Sequence, residues 1–172
     1  MNLCYTLVTR NRRSAEQLKG GNEMPKTVKL LCAGILPLIV GWIFHFLLLY
    51  SPLPIWFYRL AGLALLAGWA YLAYRLSDSG KNPVLQAFFL SAFGLLMLVL
   101  AFYQEIGMGQ YWLNLAGVSA QLYFLPVLTF AASVTAPFKS ITQVWPMYIV
   151  VWLFLFAAGC IGCYKKRSGM RG

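Results

Sequence analysis

Long apolar runs alternate with short polar breaks over most of the chain. Five runs stand out: Leu30–Tyr50, Ile55–Tyr74, Val84–Tyr103, Tyr111–Ser133 and Met147–Tyr164. Each matches the roughly 20 helical residues that cross a hydrocarbon core of about 30 Å. None alternates with a period of two, and each is about twice as long as a membrane β-strand, which argues against a barrel. The pattern predicts an all-α integral membrane protein, a bundle of five transmembrane helices with short loops.

The breaks carry turn residues. Ser51-Pro52-Leu53-Pro54 separates the first two runs, and Ser77-Asp78-Ser79-Gly80-Lys81-Asn82-Pro83 the next two. Glu105 to Gln110, with Gly107 and Gly109, forms the third break, and Val134 to Pro146 the fourth. Pro83 and Pro146 fall where a first helical turn tolerates proline, because the missing N–H would be unpaired there anyway. Pro37 and Pro126 are interior and predict kinks that free the carbonyls of Ala33 and Leu122. Trp56, Trp112 and Trp145 sit near run ends with several tyrosines, as an interfacial belt does. Trp42, Trp69 and Trp152 lie inside the runs and read as packing.

Composition agrees. Of 172 residues, 60% are hydrophobic and 10% charged, with a mean hydropathy of +0.69. An average soluble domain carries about 25% charged residues. That balance excludes a soluble globule, a disordered chain and a disulfide-stapled secreted domain.

Residues 1–23 differ from the rest. They are polar and contain Arg10, Arg12, Arg13 and Lys19. Lys19-Gly20-Gly21 can be encoded by a purine run complementary to the 3′ end of bacterial ribosomal RNA, with Asn22-Glu23 as spacer before Met24. The expectation is a translated, non-native leader with Met24 as the true start, and hence a bacterial source. The competing reading is a disordered basic tail. Residues 24–172 form a single transmembrane domain on either reading. The segment from Met24 resembles the start of a signal peptide, but the apolar run is too long and no Ala-x-Ala site follows, so it stays as an anchor.

Five crossings would put the chain ends on opposite sides. The positive-inside rule then weighs Lys26, Lys29, Arg75, Lys81 and Lys139 against Arg59, Lys165, Lys166, Arg167 and Arg171. Adding the basic residues before Met24 favours the N-terminus inside. The expected location is a bacterial cytoplasmic membrane, with the lipid bilayer as partner. The net charge of +10 is accounted for by anionic headgroups and calls for no nucleic acid.

Ionisable and strongly polar groups inside a span mark function more often than surface charges do. His45, Arg59, Glu105, Asn114 and Gln121 form the candidate ligand-binding set, all expected on the side of the Ser51–Pro54 turn, where Cys160 and Cys163 would also arrive. Gly34, Pro37, Gly41 and His45 are spaced as one helix face, as are Ala87, Ser91, Gly94, Leu98, Ala101 and Glu105, and Asn114, Gly117 and Gln121. Small-residue faces are where membrane helices approach each other. On one reading these polar groups are interhelical hydrogen-bonding contacts, with Arg59 and Glu105 snorkelling to water. On the other they line a half-open cavity that takes a small polar or amphipathic molecule. Arg59 is expected to pair with Glu105, the one acid at its level.

A single histidine with no second ligand at a suitable spacing predicts no metal and no haem or other cofactor. Cys160-Ile161-Gly162-Cys163 closes a helix, the wrong end for a reactive thiolate, and reads as packing. No catalytic motif is present, so the protein is expected to be non-enzymatic. Five helices, about 150 residues from Met24 and six Trp are similar to the tryptophan-rich sensory/translocator family. The local match is Trp145-Pro146-Met147-Tyr148 with Trp152 and Phe156-Ala157. That family's long first loop and the Gln/Asn/Trp motif of its third helix have no counterpart here, so no residue role is carried over. The functional expectation is a small polytopic protein that binds a small molecule or serves as a transporter subunit. The alternative is an assembly protein whose small-residue faces dock a membrane-protein partner or a second copy of itself.

Overall fold

The computed structural model describes residues 25–51, 53–110, 114–135 and 144–169, with backbone alone at 134 and 135. The expected leader, 1–23, and Met24 lie outside the described residues, as does Lys139. The helices are α1 (Lys26–Ala33), α2 (Leu36–Tyr50), α3 (Ile55–Leu76), α4 (Pro83–Phe102), α5 (Leu115–Thr135) and α6 (Trp145–Ser168). No strand occurs among the described residues. With α1 and α2 taken as one segment, five helical segments are long and apolar enough to cross a membrane.

Local chemistry accounts for the boundaries. Pro37 lies in the first turn of α2 and cannot donate to the Ala33 carbonyl, so the expected kink is a break between α1 and α2. Asn82 caps α4, its Oδ1 accepting from Val84 N–H at 3.0 Å, with Pro83 in the first turn. Asn114 caps α5 in the same way, accepting from Gly117 N–H at 2.9 Å. At its end α4 widens into a π-turn, Tyr103–Gly107, closed by Met108 N–H on the Tyr103 carbonyl at 3.0 Å.

Cross-helix contacts fix the chain's course. The turn after α3 meets both chain ends of the described structure. Lys26 pairs with Asp78 at 3.6 Å, and Lys166 Nζ donates to the carbonyls of Arg75, at 3.0 Å, and Ser77. Gln86, 4% exposed, locks the same turn by donating to the carbonyls of Asp78, at 2.7 Å, and Lys81, at 3.3 Å. At the other end of the bundle, Glu105 beyond α4 meets Val144 and Trp145 at the start of α6. The first and last helices therefore begin and finish at one shared end, which corrects the expectation of opposite sides.

The cause is α5. Its Leu122 lies against Gly41, its Pro126 against Gly62, and its Ala132 and Ser133 share a cavity with Leu48, Leu53 and Ile55. Both series climb toward the 51–54 connection, so α5 runs in the same direction as α2 and α4. Gln110 N–H still bonds the Gln104 carbonyl at 3.1 Å, and the five residues from there to Leu115 reach at most about 17 Å. Helix α5 thus starts no more than about halfway down the bundle and climbs back to the end where α4 stopped. Four segments run from end to end, and α5 is wedged among them, packed against α2, α3, α4 and α6.

The core forms where the wedge meets the other helices. Trp69, Tyr123, Phe124, Val127, Val151 and Leu155 are buried, and the Phe124 and Tyr148 rings stack at 4.9 Å. Two glycines set the closest approaches. A Cβ at Gly41 would collide with the Leu122 carbonyl, and one at Gly162 with the Ala70 carbonyl. Such backbone-to-backbone contact is how membrane helices gain packing without a hydrophobic driving force between them.

Candidate functional site

Above the glycine contacts, the wedge opens. Gly41 and Gly62 let α5 touch α2 and α3 at Leu122 and Pro126. One turn nearer the 51–54 connection, Phe44 and Arg59 take their places and the helices separate. The gap is a half-open cavity of about 590 Å³ lined by Phe44, Leu48, Tyr58, Arg59, Leu125, Leu128, Thr129 and Ser133 among others. Tyr58 is held in place by its hydroxyl donating to the Ser51 carbonyl at 3.3 Å and by Phe44 across 5.9 Å between ring centres.

The walls are mostly carbon, with a few polar groups. Arg59 is exposed and has no ion-pair or hydrogen-bond partner among the described residues. Thr129 Oγ1 is buried and also lacks a partner there. Ser133 Oγ donates back to the Thr129 carbonyl at 3.0 Å.

Of the five residues singled out from the sequence, Arg59 is the one that lines this cavity. Glu105 does not pair with it. The Glu105 carboxylate accepts from Val144 N–H at 2.7 Å and Trp145 N–H at 2.9 Å, beside the edge-on contact of Phe102 with Trp145. No side chain at the start of α6 itself caps that helix, so a carboxylate from the end of α4 meets the positive end of its dipole. Asn114 is the α5 cap, and Gln121 is half-buried along α5. His45 is half-buried too, its ring edge-on to Trp42 and Phe46. The buried stripe Gly34, Pro37 and Gly41 continues through Phe44 rather than His45. The cavity residues that spacing missed are Phe44, Tyr58, Thr129 and Ser133. Their signal was the row Leu125, Thr129 and Ala132 at helical steps of four and three, opposite the lone Arg59.

Charge is unevenly distributed. Lys26, Lys29, Arg75, Lys81, Lys165, Lys166 and Arg167 gather at the end with the 77–82 turn, and Arg59 is the only described cation at the other. There the Gly80 backbone N–H and then Lys26 hold the Asp78 carboxyl below its ordinary 3.8. Cys163 and Cys160 lie at this basic end, on the last turns of the helix that carries Lys166, not beside the cavity.

Among the described residues no three His, Cys, Asp or Glu side chains come together as a metal site would need. Comparison with family models, with curated proteins and with solved structures returns no match. The arrangement itself, an apolar slot with a guanidinium and hydroxyls at its edge, suits an amphipathic guest.

Proposed function

We propose that this is a non-enzymatic, multi-pass protein of the cell membrane that binds a small amphipathic molecule in the cavity between α2, α3 and α5. The observation that carries the reading is the cavity, which falls within the roughly 300–1,000 Å³ of ligand sites and joins apolar walls to a cation, Arg59, that has no partner among the described residues. The membrane is read as the cytoplasmic membrane of a bacterium. The clustering of basic residues favours placing the end with the 77–82 turn inside, with both α1 and the end of α6 facing the cytoplasm.

Thermal unfolding of the detergent-purified protein tests the binding. Single-chain amphiphiles at about 100 times their Kd should raise the midpoint by roughly 5 °C or more. Ser133→Trp, which plugs the mouth from an exposed position, should abolish the shift while leaving the helical circular dichroism unchanged. An equal shift in wild type and Ser133→Trp, or no shift with any amphiphile, overturns the reading.

A further inference from the structure

We infer that the cavity takes one acyl chain of an anionic phospholipid, with the phosphate held at Arg59. The inference rests on the reading of the cavity as an amphiphile site and names its occupant. Three observations point the same way. The slot is open at the 51–54 end, where Leu48, Leu53 and Ile55 are exposed, so a chain enters from the surrounding hydrocarbon without crossing a polar barrier. A void there would forfeit the dispersion contacts of its whole lining, and a lipid tail is the apolar group at hand. Arg59 has no partner among the described residues, and a cation left unpaired in hydrocarbon costs several kcal/mol.

Arg59 is also the only cation at that end among the described residues, so there an anionic head meets a guanidinium set apart from the basic cluster of the opposite end. A guanidinium binds phosphate oxygens through two parallel N–H bonds. A choline head brings its own cation beside the phosphate and weakens that contact, whereas a glycerol head does not. The Thr129 hydroxyl, buried and without a partner among the described residues, is a second polar group along the slot. The opposite end of the bundle, rich in lysine and arginine, would attract anionic lipid at many points without a cavity to order it.

Photo-crosslinking in vesicles tests the assignment. The protein is reconstituted with phosphatidylglycerol or phosphatidylcholine carrying a photoactivatable group in one acyl chain, at equal mole fraction, and labelled peptides are mapped by mass spectrometry. Label should fall on the α3 and α5 segments that line the cavity, about fivefold more from phosphatidylglycerol, the factor given by about 1 kcal/mol per basic residue at a lipid surface. Arg59→Gln should bring the two lipids to parity, Arg59→Lys, which keeps the charge and loses the paired N–H bonds, should keep part of the preference, and Ser133→Trp should remove cavity label from both. Equal labelling of the wild type by the two lipids, still blocked by Ser133→Trp, overturns the anionic assignment and leaves the amphiphile site standing. Label indifferent to Ser133→Trp overturns both.

Discussion

The two ends of the bundle are built on different principles. At the basic end, side chains cross between elements: Lys166 closes on the carbonyls of Arg75 and Ser77, Gln86 on those of Asp78 and Lys81, and Lys26 pairs with the Asp78 carboxylate. At the cavity end, Glu105 fixes the start of α6, while α2, α3 and α5 diverge around about 590 Å³ of open space. The difference teaches where the fold is held and where it can admit a guest. Stability comes from glycine-mediated contact and a cross-linked turn. The cavity lies in the region those contacts leave apart.

The largest effect should come from closing the glycine seam at the basic end. Gly162→Ala places a methyl against the Ala70 carbonyl and should lower stability in a detergent unfolding assay by about 1–3 kcal/mol, the usual cost of overpacking. Gly68→Ala, on α3 with nothing within 4 Å of the new methyl, should instead gain up to about 1 kcal/mol from helix propensity. Equal effects would show that close approach is not what Gly162 provides.

Next in size is the anchor of the cavity end. Glu105→Gln removes the charge that faces the start of α6 and should cost about 1 kcal/mol, with faster amide exchange beginning at Val144 and Trp145. Exchange unchanged there would separate Glu105 from the α6 cap. At the basic end, Lys166→Met should cost about 1 kcal/mol or less, because the bonds it breaks are partly exposed, and should loosen the last turn of α3 in the same exchange measurement.

The smallest effect is set by pH. The folded Asp78 carboxyl titrates below its ordinary 3.8, so its contribution is fully present above that value and is lost as pH falls through the folded value. Unfolding midpoints measured downward from pH 5 should fall slightly more in the wild type than in Asp78→Asn, and parallel curves would remove Asp78 from the account.

Five helices were legible because length and hydropathy alone mark a segment that can cross a membrane. The courses of those helices were not. Counting segments assumes that each runs from one end to the other, and α5 breaks that rule, its Leu122, Pro126 and Ser133 climbing toward the end where α4 finished. Gly109, at φ +66°, supplies a left-handed backbone step after α4. The charges pointed to the shared end as well: Lys165, Lys166 and Arg167 were set apart from Lys26, Lys29, Arg75 and Lys81 only by assuming an odd number of end-to-end segments. At the site, Arg59 was legible as an ionisable group inside a span. Glu105, His45 and Asn114 look similar in sequence, but their partners are a helix start, two neighbouring rings and a cap. Spacing along one helix reveals a shared face, and it does not reveal which neighbouring helix covers that face.

Sidedness tests the central claim most directly. Single cysteines placed at Pro25, Leu53 and Gly169 in a background lacking the native ones can be probed with a membrane-impermeant thiol reagent, on intact cells and on inverted vesicles. The account predicts that positions 25 and 169 label from the same side, the cytoplasmic one, and position 53, at the cavity mouth, from the other. Labelling of 25 and 169 from opposite sides would contradict it.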